Sequence, residues 1–420
     1  MKPSRPVYVI GGAHSPFLGK PRKDFVTHRH PDHGKRHNPG LEDHLAVALR
    51  GAFAATGVDP TAVQKAWLSN FLGERFCDQG HMGALLPRVE PGLDGIPIVR
   101  VEAACASGAA AITAAIDAIG AGCDVALAVG VEIETNVGGR DGVEHMALAA
   151  HYREQRGLDT FLFPHLFARR AKAYKETYGA TEEDLARVVA KAYGNARRNP
   201  LALNRDAEMD FARAMTVDRH NNHFLDDATL RPHIRLSDCT QFTDGASAVL
   251  LASEEGLRRL EIPRERCTEI ASYGFTVAAL GAETDPTRMH NVARAAAIAY
   301  DAAGVTPDDI ALAEVHDCFS IAELQMYEAL GLCGEGKAPD LLVGGATAID
   351  GRLPVNPGGG LLGFGHPIGA TGIKQVVEVW RQMKRRCGDY QIPGTPETAV
   401  TANLGGDDRT AVVMVHRDLR

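Results

Sequence analysis

Two short segments of the chain share one plan. Cys105 to Ile112 reads CASGAAAI and His366 to Ile373 reads HPIGATGI; each ends an extended stretch and opens a helix of small residues. A thiol and an imidazole thus hold the same place in two copies of one unit, the parts of a nucleophile and its base. At a helix start, free amide N–H groups and the dipole favour an anion, which predicts a Cys105 thiol drawn from about 8.5 toward neutrality. The same setting keeps an imidazole neutral, so His366 is expected to accept the thiol proton. Gly363, Gly365 and Gly369 let backbone approach a ligand there, and Pro367 suits a first helical turn. Taken singly, Cys105 also reads as a small buried hydrophobe and His366 as a helix cap; the pairing favours chemistry.

Three further groups are candidates. His316-Asp317-Cys318 stands where a predicted strand feeds a helix, the end of an α/β sheet that faces ligands. Cys318 would serve there as a second acid and base and His316 as a donor to a substrate oxygen, against the plainer reading of a strand-end turn. Asn403-Leu404-Gly405-Gly406 lies between two apolar strands, and its glycines either bring an amide N–H to a developing oxyanion or turn a hairpin. His28, His30, His33 and His37, with Asp32 among them, lack helical metal-site spacing and read as a solvated insertion; no metal is expected.

The elements that must position these groups alternate. The first half reads as strand 6–11, helix 41–55, strands 66–71 and 98–103, helix 106–121 and strand 124–131. The second reads as strand 268–278, helix 290–303, strand 311–316, helices 319–331 and 367–386, and strands 398–403 and 410–416. Such alternation predicts α/β layers with helices on largely parallel sheets. A second echo supports duplication: GVDP at Gly57 and GVTP at Gly304 each follow an alanine-rich helix and lead into a short apolar strand. The small residues from Gly108 to Ala115 suit a helix packed tightly on another. Between the halves, 132–244 is richer in His, Arg and Asn, with helical pieces at 166–178 and 181–198, and reads as a lid or ligand-gripping insertion.

Bulk properties narrow the function. The chain has 420 residues, enough for an ample core without staples. Its eight cysteines are scattered without a Cys-x-x-Cys pair, which argues for a reducing compartment. Net charge is −8, which disfavours a nucleic-acid surface. The start lacks a signal-peptide core, no apolar run reaches membrane length and the end is not a peroxisomal address, so a cytoplasmic protein is expected.

Taken together, Glu102 to Gly108, His316 to Phe319, and Asn356 to Gly360 through His366 and Pro367 resemble the thiolases, within them the sterol-carrier-protein-type and archaeal-like group. The resemblance covers nearly the whole length. It implies a five-layer α-β-α-β-α sandwich of two similar halves, 1–131 with 245–267 and 268–420, and an inserted loop domain, 132–244, covering coenzyme A. It implies ping-pong acyl transfer between acyl-CoA and acetyl-CoA through a Cys105 thioester, with no permanently bound cofactor. His366 would deprotonate Cys105, and Cys318 would move the proton at carbon. His316 and His366 would hold the enolate oxygen, and the amides of Cys105 and Gly405 the tetrahedral acyl oxygen. His165 and Leu166 would lie along the pantetheine arm and Arg169 or Arg170 would meet the phosphates. Many thiolases carry a Cys-x-Gly where Asn403 stands; the resembled group has Asn there and takes its second thiol from His-Asp-Cys-Phe. The expected assembly is a homodimer or tetramer. Two alternatives share the fold: a ketoacyl-synthase-like condensing enzyme, which has no use for Cys318, and an aldolase or acyltransferase subunit working with a small OB-fold partner.

Overall fold

The structure is a computed structural model that describes all residues, 1–420. Its strands are β1 (Tyr8–His14), β2 (Lys65–Ser69), β3 (Ile98–Val101), β4 (Val125–Glu132), β5 (Gly245–Ala252), β6 (Thr268–Val277), β7 (Leu312–Glu314), β8 (Thr398–Gly405) and β9 (Thr410–Asp418). They lie in one hydrogen-bonded order, β3-β2-β4-β5-β1-β6-β9-β8-β7. The seam between β1 and β6 is only two residue pairs long, Tyr8 with Glu269 and Val9 with Thr268.

On either side of that seam the pairings repeat. In the first half β2 pairs parallel with β4, and β4–β5 and β5–β1 are antiparallel. In the second, β7 pairs parallel with β8, and β8–β9 and β9–β6 are antiparallel. The counterpart of β3 has shrunk to a single parallel bridge between Ala313 and Val355. The turns repeat too. Gly57 and Gly304 both end their helices in the left-handed conformation (φ 78° and 66°), and Pro60 and Pro307 open the short turns that follow.

The expectation of largely parallel sheets needs correction, because only three of the eight strand pairings are parallel. In the first half the cause is β5, absent from the sequence reading, which runs antiparallel to both β4 and β1; in the second half β9 does the same between β8 and β6. The β5 sequence GASAVLLA is buried throughout, so it shows no alternation.

Eight helices matter for the site: α1 (Leu41–Thr56), α2 (Ser107–Gly120), α3 (Gly139–Met146), α4 (Leu162–Tyr178), α5 (Glu182–Ala196), α6 (His290–Ala303), α7 (Ser320–Ala329) and α8 (Ile368–Met383). Helix α1 covers one face of the first half, α2 and α8 share the other, α8 also packs on β7 and β8, and α6 covers β6 and β9. Three hydrophobic slabs fill the spaces, giving five layers. Every residue of α8 except Arg381 is buried, as the middle layer requires. Glycine makes the close approach of α2 and α8 possible: a Cβ at Gly108 would stand 2.7 Å from the Gly372 nitrogen. No helix is long and apolar enough to cross a membrane.

Candidate active site

Cys105 and His366 stand at equivalent positions, each two residues before the first helical residue of α2 or α8. Their helices pack together, so the two side chains meet at one end of the middle layer. His316 arrives from the end of β7. The ligating atoms of Cys105, His316 and His366 lie within 4.8 Å of one another, and the two imidazole rings meet edge to face, 5.0 Å between centroids. Cys318 lines the same cavity. The turn before the thiol is strained: Ala104 adopts φ 49°, which costs about 1 kcal/mol. Ser107 holds it, its hydroxyl accepting from Ala103 N–H at 2.8 Å and donating to the Ala104 carbonyl at 2.5 Å.

Hydrogen bonds set both tautomers. Thr371 Oγ1 donates to the Pro367 carbonyl at 3.0 Å, so it accepts from His366 Nδ1–H at 2.6 Å. His366 Nε2 is then a bare acceptor, and it has no other partner. At His316, the Asn403 amide Nδ2 donates to Nδ1 at 3.0 Å, which leaves the proton on Nε2 as a donor. Two neighbouring histidines thus carry opposite tools.

The electrostatics depart from the expected thiolate. Burial, with Glu134 nearby, pushes the Cys105 thiol up to about 12, although a Gly406 amide N–H directed at the sulfur works the other way. The predicted depression toward neutrality fails first because the thiol is buried and then because Glu134 and Glu132 lie near it, held at the start of α8 where they accept from the Ile368 and Gly369 amides at 3.1 Å. Burial and then Lys374 lower His366 to about 3. Burial, His366 and Lys374 hold His316 well below its usual value, and burial, Cys105 and Asp317 hold Cys318 well above. The resting site is therefore neutral, thiols protonated and imidazoles not.

Buried polar groups brace the second half of the site. Asp317 accepts from the Leu361 and Leu362 amides (2.6 and 3.4 Å). Lys374, fully buried on α8, pairs with fully buried Glu314 at 2.8 Å and reaches the Gly360 carbonyl at 3.4 Å. The inserted region supplies three asparagines to the loop ahead of His366. Asn195, Asn199 and Asn204 donate to the carbonyls of Asn356, Gly358 and Leu362 at 3.1, 3.1 and 2.8 Å.

The cavity above these groups has a volume of about 720 Å³. Of the predicted coenzyme contacts, none lines it. Arg170 is fully buried and paired with Asp407 and the Arg288 carbonyl, and Arg169 also leans on Asp407 at 3.5 Å. Leu166 is buried with Ala147, Ala150 and Leu162, and His165 faces Asp159 at 3.9 Å. The cavity-facing part of α4 is its N-terminal end, with Phe163, Pro164 and Phe167 after the capping Phe161, because the helix begins four residues earlier than predicted. The cations on the wall are Lys20 and Arg140. Gly406 rather than Gly405 reaches the wall; Gly405 packs one residue back against the Ala103 carbonyl. His28, His33 and His37 are exposed, and within that loop His30 faces Asp32 at 3.9 Å. Thr371 and the role of Asn403 escaped the sequence reading; the one signal for the latter was that Asn403 stands where many members of the resembled family carry a cysteine.

The sequence matches the family model described as Thiolase, N-terminal domain over residues 27–255 and that described as Thiolase C-terminal domain-like over 273–418. The chain belongs to the thiolase family. An acetyl-CoA acetyltransferase of Methanothermobacter thermautotrophicus is 35% identical over 383 residues, 91% of this chain and 96% of that protein. Chicken sterol carrier protein 2 is 29% identical, over 96% of this chain and 70% of its own. The thiolase fold is also that of a solved Ltp2-ChsH2(DUF35) aldolase, with TM-score 0.77, 21% identity and full coverage of both chains. With such relatives this thiolase-family chain is an acyltransferase enzyme.

Proposed function

We propose that the protein exchanges acyl groups between CoA thioesters and acetyl-CoA through a thioester on Cys105. The observation that carries this reading is the meeting of Cys105, His316 and His366 within 4.8 Å, with Cys318 on the same cavity. Attack starts from a neutral pair: as Cys105 Sγ bonds to the acyl carbon, its proton passes to His366 Nε2. The amides of Cys105 and Gly406 hold the tetrahedral oxygen. In the synthetic direction the CoA thiolate displaced from the acyl group takes the Cys318 proton; the Cys318 thiolate so formed takes a proton from the methyl of acetyl-CoA, His316 Nε2–H holds the enolate oxygen while the carbanion attacks the acyl-enzyme, and Cys105 leaves and recovers its proton from His366. In cleavage Cys318 protonates the departing enolate, and CoA thiol collects the acyl group. Residues 132–244 cover the coenzyme, with Lys20 and Arg140 taking the place first given to Arg169 and Arg170. A cytoplasmic homodimer or tetramer remains the assembly this reading expects.

Incubation with acetoacetyl-CoA and CoA should yield acetyl-CoA, with an acetyl or acetoacetyl adduct on Cys105 by mass spectrometry; neither product nor adduct would sink the reading. A Cys318→Ala variant should still acylate Cys105 while losing cleavage and condensation.

A second reading, an aldolase or acyltransferase subunit with a small partner, is favoured by the fold shared with the Ltp2-ChsH2(DUF35) aldolase. Co-purification of a second chain, with turnover only in its presence, would select it.

A further inference from the structure

The cavity is aromatic beyond what acetyl transfer uses. Six of its 27 lining residues are phenylalanines (161, 163, 167, 224, 242 and 319), in a chain only 6% aromatic. Phe161, Phe163 and Phe167 come from one segment and the others from three more, and four of the six are fixed in pairs: Phe161 meets Phe224 edge to face at 4.9 Å, and Phe167 stacks on Phe319 at 4.3 Å. The walls flank both thiols. Phe163 and Met146 pack with Ala149 and Ile368 beside Cys105, while Phe167 and Phe319 pack in the cluster that holds Cys318. Five of the six belong to residues 132–244, placed above over the coenzyme, and the same wall carries Thr160, Asn222, Thr240 and Gln241, which suit the amides of a pantetheine arm and leave the phenyl faces for the acyl group. An acetyl group offers these walls one methyl, whereas a ring offers them a face and an edge.

We propose, resting on the thiolase reading above, that the acyl group carried on Cys105 is aromatic and that the preferred substrates are 3-oxo-3-arylpropanoyl-CoA thioesters. Cys105 Sγ adds to the aryl ketone carbon and its proton goes to His366. The C2–C3 bond breaks, its electron pair leaving as the acetyl-CoA enolate, which takes a proton from Cys318. CoA thiol then gives its proton to Cys318 and takes the aroyl group, and Cys105 leaves and recovers its proton from His366. The products are aroyl-CoA and acetyl-CoA, with no redox change.

Thiolysis of benzoylacetyl-CoA, acetoacetyl-CoA and 3-oxodecanoyl-CoA by the purified protein tests this. The aryl substrate should exceed both others in kcat/KM by about ten- to a hundredfold. Equal or higher kcat/KM for acetoacetyl-CoA or 3-oxodecanoyl-CoA overturns the aryl preference and leaves the thiolase reading standing. No turnover of any of the three overturns both. Phe163→Ala, or Phe224→Leu should the first not fold, should lower the benzoylacetyl to acetoacetyl ratio about fivefold. An unchanged ratio in a folded variant overturns the wall assignment.

Discussion

Asn403 and His316, 87 positions apart in the chain, meet at 3.0 Å with the amide nitrogen facing Nδ1. Asn403 does not line the cavity; its amide fixes which nitrogen of His316 carries the proton. An Asn403→Asp variant presents an acceptor instead and draws the proton to Nδ1, so Nε2 loses its donor. Single-turnover assays should show Cys105 acylation retained and condensation slowed about 10²- to 10³-fold, the effect of removing one oxyanion donor.

Thr371 does the corresponding work for His366, with opposite sign. Thr371→Val keeps the shape but removes the acceptor of Nδ1–H. The rate of Cys105 acylation should fall about 10- to 100-fold, as for other supporting hydrogen bonds behind a reactive group. Rapid-quench measurement of the acyl-enzyme checks it.

The pH response distinguishes a neutral pair from an ion pair. A thiol pushed up to about 12 is protonated throughout the neutral range, and its thiolate fraction grows about tenfold per pH unit. Alkylation of Cys105 by iodoacetamide should therefore climb steadily from pH 7 to 10. A plateau near pH 7 would show a thiolate–imidazolium pair and contradict the neutral resting site.

Lys374 and Glu314 are both fully buried, so removing one strands the other. Lys374→Met should destabilise the protein by about 3–5 kcal/mol in denaturant titration. The double variant with Glu314→Gln should recover most of that loss, because the uncompensated charge is gone.

The two helix starts were legible because glycine, small residues and a polar group at a helix entrance have few other uses in that combination. The third site was legible for a similar reason, a thiol and an imidazole two residues apart at a strand end. Strand β5 was not, since burial on both faces erases its period. The residues expected to meet the coenzyme do not line the cavity, because the pattern of α4 marks a helix without saying which turn faces it. Arg170 shows the difficulty most plainly. A charged residue on a predicted helix suggests a head in solvent, yet Asp407, 237 positions away, receives it inside the core.

The segment from Asn356 to Leu362 is short of side chains of its own, and its carbonyls are held by Asn195, Asn199 and Asn204 of the inserted region. The base at its end is thus referenced to a part of the chain that the duplication did not supply. On the function proposed above, exchanging residues 132–244 between relatives would transplant a substrate cover and, with it, a new calibration of the imidazole; chimeras that keep the three asparagines in register should inherit the donor's selectivity without losing the host's catalytic timing.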